Sequence, residues 1–565
     1  MGNLTVSQAT NIRTPEGNSL AVFIDGVSGI MKLKDALGNV QPISDFIAPS
    51  GSSPFEYGTS EGAIKPILGK NIASGLYSNV GGGLGNNVSS SYSSIGGGRA
   101  NAITGYNATI AGGYCNTASN YYTTIGGGNQ NTASGQRAVV AGGGLNTASG
   151  GYSSIVGGTC NTASGLYSSV GGGYSNTASG RYSSVGGGCY NLATTDFSII
   201  AGGRQNFIQG SFGYGNIGGG SYNQIIGSGQ NAVISGGYKN YISGHYSSIG
   251  GGKNNTASAD YTTIGGGSYN TASGSRSIIG GGYQNSASQP FTTIGGGCQN
   301  SASCNYSTIG GGIGNIASGF ISTIGGGRCN IASNQYTTIG GGYQNTASCN
   351  YSTIGGGRYN NASNFYATIG GGYQNTASSQ YTSIGGGRAN TASNYYTTVG
   401  GGYFNTASGS RSTIGGGRAN TASNYYTTVG GGRDNTASGY SSIISGGALN
   451  TASGIHSFIG NGNGNIASNS WSTILNGSYN QAIGNGSLIS NGSYNYATAQ
   501  YSTIIGGAGN TNNCIQSTII GSSITANRAC TTFVNNLSIM NIPTSSVGLP
   551  SGAVWRNGTV LEIIP

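Results

Sequence analysis

Ten carboxylates and two imidazoles are all that this 565-residue chain offers for acid–base chemistry. The acids are Glu16, Asp25, Asp35, Asp45, Glu56, Glu61, Asp196, Asp260, Asp434 and Glu562, six of them within the first 61 residues. A glycosidase needs two carboxylates roughly 5–10 Å apart. The three aspartates between residues 69 and 535 stand far apart and in different positions of the sequence pattern, so they form no such pair. His245 and His456 have no acid in register with them, so neither a Ser-His-Asp array nor a zinc site has its parts. The nine cysteines include no CxxC pair. The expectation is a protein without catalytic residues, metal or cofactor, and not an enzyme.

The basic residues are arranged differently. Twenty Lys and Arg give a formal net charge of +10. Arg99, Arg204, Lys253, Arg328, Arg358, Arg388, Arg418 and Arg433 share the position just after a glycine triplet (AGG before Arg204). Tyr343, Tyr373 and Tyr403 take that same position between arginines. A guanidinium beside a tyrosine ring gains about 0.5–1 kcal/mol at an exposed site. Alternation also holds like charges ~10 Å apart, near the Debye length at physiological salt. This column is a candidate surface for an anionic cell envelope or polysaccharide; nucleic acid is not expected, because the arginines are diluted by tyrosine. A second candidate surface is the aromatic stripe Tyr336, Tyr351, Tyr366, Tyr381 and Tyr396, with Trp471 following His456 in the same position. Such a stripe packs against another chain or binds sugar, and packing is the reading preferred here.

Both columns exist because the chain repeats. "YTTIGGGYQNTASCNYSTIGGGRYN" (Tyr336 to Asn360) says nearly the same thing twice, fifteen residues apart. With 113 glycines, collagen and disorder come first to mind. Collagen needs glycine at every third position, and a disordered chain would not carry 38 tyrosines on a regular Ile/Val spine. That spine has about 31 positions, among them Ile95, Ile125, Ile249, Ile309, Ile339, Ile354, Ile519 and Val534, with two 17-residue units ending at Ile217 and Ile234. The alanine of "TAS" recurs in step. "YSTIG" and "NTAS" read as two short strands, and "GGGYQ" and the Gly or Asn after "TAS" as turns needing positive φ. The fold class expected is all-β: a parallel β-solenoid, or β-roll, of about 15-residue coils, each copy pairing with the next. The extra residues of the long units must leave the coil as a bulged turn.

With one Ile and one Ala per coil, little apolar surface is buried, which points to a homotrimer. Coils ~4.8 Å apart would make a rod of roughly 150 Å. Cys115 and Cys160, like Cys304 and Cys349, stand three repeats apart, beyond the ~7 Å reach of a disulfide. Free thiols imply assembly in a reducing cytoplasm. No apolar run approaches the ~18 residues of a membrane helix, and the amino terminus does not read as a signal peptide.

The repeat "TASGLYSSVGGG" (Thr162 to Gly173) resembles the "ATGxNSVAIG" head repeats of YadA-type trimeric autotransporter adhesins, over roughly Gly69 to Asn535. The resemblance implies parallel β-rolls, three chains about one axis, but the unit here is longer and carries GGG where those repeats have one Gly. "FIDGVSGIMKLKDALGNVQPISDFI" (Phe23 to Ile47) and "IPTSSVGLPSGAVWRNGTVLEIIP" (Ile542 to Pro565) resemble end modules of phage tail-fibre proteins, and the repeat is similar to those in phage fibres. The organisation expected is therefore a virion-attachment module (1–68), a solenoid shaft (69–535) and a carboxyl-terminal cap or tip (536–565). Trp555, Val560, Leu561 and Ile563 would close the last open edge. The implied partners are its own copies, other tail or baseplate proteins and a host polysaccharide or receptor, with location in the virion tail fibre. A bacterial surface adhesin of the autotransporter type is the alternative. An ice-binding solenoid is more distant, since an ice face usually needs two parallel threonine columns, and the tyrosines beside the one column here (Thr293, Thr308, Thr323, Thr338, Thr353, Thr368) would roughen the plane.

Overall fold

Short β-branched strands separated by glycine turns cannot form a sheet within one repeat, so each strand finds its partner in the next. In a computed structural model the chain is all-β, a parallel β-solenoid of about 31 turns. The structure describes residues 55–564 apart from 68–69, 212, 228, 539–540 and 558. Before residue 55 it describes only the strands Gln8–Ala9, Ala21–Asp25, Met31–Lys34 and Val40–Pro42, which form one four-stranded sheet. Most of the 1–68 module, including Glu16, Asp35 and Asp45, lies outside the described residues. The chain divides into two compact units, Met1–Gln284 and Asn285–Pro565, and the same coil builds both.

Each coil runs through an isoleucine strand, a glycine turn, an alanine strand and a tyrosine turn. Thr338–Ile339 pairs in parallel with Thr353–Ile354, and Thr346–Ala347 with Asn361–Ala362, so identical positions stack into ladders. The residue after the glycine triplet adds a third ladder of single bridges, such as Tyr343 to Arg358. The turns differ from expectation in where they need positive φ. One such position is the third glycine of the triplet (φ 90° at Gly357), and another lies two residues on (φ 50° at Gln344). The third is not the Gly or Asn after "TAS" but the tyrosine itself, with φ 60° at Tyr351 and 54° at Tyr366. A non-glycine residue there costs roughly 1–2 kcal/mol. The cost is offset by a bond to the preceding coil: Tyr351 N–H donates to the Gln335 carbonyl at 3.0 Å.

The interior holds four columns, not two. Ile339 and Ala347 are fully buried, and so are Asn345 and Ser352. The asparagine column is a hydrogen-bonded polar spine. The Asn345 backbone N–H donates to Asn330 Oδ1 at 3.0 Å, and Asn345 Oδ1 accepts from the Asn360 N–H at 3.0 Å. Its Nδ2 donates to the carbonyls of Gly341 in its own coil (3.0 Å) and Gly357 in the next (2.8 Å). The pattern runs from Asn86 to Asn270 in the first unit and from Asn300 to Asn510 in the second. Buried amides are stable inside a protein only when paired this completely. Each coil therefore fills twice as many interior columns as its isoleucine and alanine supply, and its core is not starved.

The 17-residue units keep their place in the ladders: Ile217 and Ile234 are fully buried and pair with each other. Their extra residues leave the coil at one corner, between the alanine strand and the tyrosine turn, and the two insertions touch through the Ser211 N–H and the Gly227 carbonyl at 3.3 Å. In both coils the alanine position carries a buried isoleucine, Ile208 or Ile225. A small residue faces it in compensation, since a Cβ on Gly215 would meet Ile208 Cγ2 at 2.8 Å.

The ends also differ from expectation. Hydrogen bonds into the first coil begin at Thr59, ahead of residue 69, and Ile64–Pro66, paired antiparallel with Phe55–Tyr57, lies against the first strand of the spine, Asn79–Val80. At the other end Val534 is not in the buried spine. The last unit is one residue short, so Ile519 pairs with Phe533 and Val534 stands beside the exposed Ile520. Val560, Leu561 and Ile563 do not cover the final coil within a single chain. They are exposed on a separate hairpin, Val554–Asn557 with Val560–Ile563, where Trp555 is half-buried. The strand that does cover the last coil is Thr532–Val534.

Candidate functional site: the surface ladders

Because every coil turns the same corner, a side chain in a turn meets its counterpart one coil away. After the glycine triplet of the second unit this places Arg328, Tyr343, Arg358, Tyr373, Arg388, Tyr403, Arg418 and Arg433 in one bridged column. The Arg358 guanidinium lies 5.0 Å from the Tyr343 ring and 5.8 Å from the Tyr373 ring. Arg388 lies 5.3 Å from Tyr373 and 5.4 Å from Tyr403. The arginines are exposed, while Tyr343, Tyr373 and Tyr403 are half-buried between them. Arg358 also reaches the Tyr359 hydroxyl at 3.4 Å. That hydrogen bond raises the Arg358 pKa and holds the Tyr359 phenol below its ordinary value. Alternation fails once, where Arg433 follows Arg418 directly. There Asp434 lies 3.4 Å from Arg433 and moderates the repulsion.

The aromatic stripe forms on the other turn. Tyr336, Tyr351, Tyr366, Tyr381 and Tyr396 stack with ring centroids 4.9, 4.8, 5.2 and 4.7 Å apart and planes within 9°. Each is roughly 40% exposed, and Trp471, stacked on His456 at 4.3 Å, is 61% exposed. Ring stacking of this kind is worth about 0.5–1.5 kcal/mol per pair, so the stripe finds its first packing partner in its own chain. The two turns join opposite ends of each short strand. The arginine–tyrosine column and the aromatic stripe consequently lie on opposite edges of the coil and cannot grip one small ligand together.

Sequence reasoning passed over arginines that sit within the stripe. Arg137 lies between the Tyr122 and Tyr152 rings at 5.5 and 5.1 Å. Arg411 lies 6.0 Å from Tyr396 and 5.5 Å from Tyr426, and donates to the Tyr426 hydroxyl at 2.9 Å. Lining up the fifteen positions column by column would have found both. Also passed over was a shallow depression of about 350 Å³ beside the long units, lined by Tyr222, Gln224, Lys239, Tyr241 and Asn254.

The acids serve the backbone. Asp196 accepts from the Arg181 N–H at 2.8 Å and Asp260 from the His245 N–H at 2.9 Å. These two share one corner position, contrary to the expectation of different positions, but stand four coils apart. Among the described residues no three His, Cys, Asp or Glu come together as a metal site, and all nine cysteines are free. No helix is long and apolar enough to cross a membrane among the described residues. The fold and its surface define a β-solenoid repeat protein that displays side chains in columns at one-coil intervals. No protein-family model matches the sequence, and no curated protein is significantly similar to it.

Proposed function

We propose that this chain is a non-enzymatic structural fibre of a virion, of the phage tail-fibre kind, that mediates attachment to a host cell. The observation that supports this reading is the division of labour within the coil. Interior positions repeat almost without change, whereas the turn positions carry arginine, tyrosine, glutamine or alanine on an unchanged frame. Such a frame spans distance and presents many equivalent weak contacts, and avidity turns these into firm attachment. In this reading three copies assemble, the 1–68 module docks on other tail or baseplate proteins, and a host polysaccharide or receptor meets the surface beyond it. The exposed Leu537, Val547, Val560 and Ile563 offer apolar surface that three copies would cover.

Antibody raised against the chain, applied to intact particles in negative stain, tests the proposal. Label on the tail appendages is the expected result. Label confined to the outer surface of bacterial cells would favour the adhesin reading instead.

A further inference from the structure

The arginines of the glycine-turn column recur with a period that is itself informative. Arg328, Arg358, Arg388 and Arg418 follow one another at thirty-residue intervals, which is every second coil. Neighbouring parallel strands lie ~4.8 Å apart, so the guanidinium groups recur about every 9.6 Å along the column. Their separation is held by the tyrosines, whose rings lie within 6 Å of the guanidinium on either side. Among the described residues no carboxylate forms an ion pair with any of these four; the ion pairs there are Lys65–Glu56 and Arg433–Asp434. Four exposed cations, with no acidic partner among the described residues, alternate with aromatic surface.

An extended β-linked polysaccharide advances by nearly the same distance per disaccharide. We propose that this column binds an acidic polysaccharide lying along it, with one carboxylate per disaccharide meeting each arginine. The intervening sugar lies across the outward edge of a half-buried tyrosine, whose ring stands between two guanidinium groups. Guanidinium suits this role because its planar fork can hold a carboxylate by two parallel hydrogen bonds while its face stays on an aromatic ring. A chain with a carboxylate on every sugar would set half its charges over tyrosines, and a neutral chain would leave the cations unmatched. The assignment names the ligand class for the host-attachment reading above and rests on it for its biological setting, although the binding itself does not depend on the chain being part of a virion.

The test uses the full chain and hyaluronan oligosaccharides, which carry one carboxylate per disaccharide, with neutral cello-oligosaccharides and oligogalacturonate of equal length as comparisons. Binding is measured by calorimetry at low and physiological salt. The expected order is hyaluronan tightest, then oligogalacturonate, with the neutral chain unbound. Replacing all four arginines (R328Q, R358Q, R388Q, R418Q) abolishes binding. The decisive variant exchanges neighbours, Arg358→Tyr with Tyr373→Arg, which keeps composition and net charge but breaks the period. It is expected to fold as the parent does, since both residues already occupy this column, and circular dichroism checks this. Loss of one matched ion pair of the exposed kind weakens binding by up to about fivefold. If the exchanged variant binds as tightly as the parent, or if oligogalacturonate binds as tightly as hyaluronan, only net charge is being sensed and the proposal fails. Absence of hyaluronan binding to the parent also overturns it. Particle labelling answers the question of virion location separately.

Discussion

At the scale of single residues, the glycine triplet separates steric need from habit. A Cβ on Gly356 would meet nothing within 4 Å, whereas one on Gly357 would meet the Gly372 carbonyl oxygen at 2.1 Å, at a φ of 90°. Gly357→Ala is expected to cost about 1–3 kcal/mol, and Gly356→Ala to stay within about 0.5 kcal/mol, in paired denaturant melts. Equal effects would show that the turn relaxes around the added methyl. The asparagine column makes a second case. Asn345→Ala strands the Asn360 N–H and the Gly341 carbonyl, at about 1–3 kcal/mol for each buried group left unmet. Because solenoid stability is shared between neighbouring coils, hydrogen exchange should accelerate in the coils on either side and fade with distance. Exchange unchanged at the Asn360 amide would mean that water replaces the lost amide. A subtler pairing links the corner residue to the buried hydroxyl. Thr337 donates to the carbonyl of Asn334 at 2.8 Å, but after the glycine corners Gly150 and Gly165 the hydroxyls of Ser153 and Ser168 have no partner.

At the scale of elements, the two long coils show how the ladder tolerates an insertion. The two-residue insertions meet at one corner through Ser211 and Gly227, so removing one pair alone strands the other. Isoleucine in the alanine position does not require the extra length, because Ile103 and Ile242 are fully buried in ordinary fifteen-residue coils. Deleting both pairs together is expected to leave the melting temperature nearly unchanged, and deleting either pair alone to lower it. The opposite order, with the double deletion the worse, would show that the insertion shapes the core. These coils were legible as irregular from the count of residues, and their bulged turn followed from the need of Ile217 and Ile234 to stay inside. The corner that bulges was not legible, because both turns of the coil are rich in glycine and either one offers room.

At the scale of the whole molecule, the expected trimer must be argued without a starved core, since the asparagine and serine columns fill the space. The remaining reasons are the exposed apolar residues near the carboxyl end and the half-exposed stripe. Light scattering at micromolar concentration is expected to give three times the 56.1 kDa chain mass; a stable folded monomer would remove the proposal. The docking role of the amino-terminal module calls for a truncation chosen from the structure. Removing 1–68 would also strip the hairpin Phe55–Tyr57 and Ile64–Pro66, with buried Ala63, from the first coil and open a sheet edge that invites aggregation. Removing 1–54 keeps that hairpin. The shortened chain is expected to fold and bind cells but to be missing from particles, as read by blotting of purified virions. Normal incorporation would reverse the proposed polarity.

Periodicity alone determined the coil: fifteen residues, two strands, the Ile and Ala columns, and the outward columns of arginine and tyrosine. It did so because a parallel ladder stacks identical positions, so that any position facing inward must repeat. What hydropathy could not show was that asparagine and serine face inward as well. Their partners are backbone groups and side chains in neighbouring coils, and an amide counts as polar until those partners are in place. Tertiary structure also decided that tyrosine, not the residue after "TAS", takes the left-handed turn, because a bond to the preceding coil and a stacked ring offset the strain. It put the two surface columns on opposite edges, since the turns close opposite ends of the strands. And it took Val534 out of the spine, because one missing residue in the last unit shifts every later side chain to the other face of the sheet.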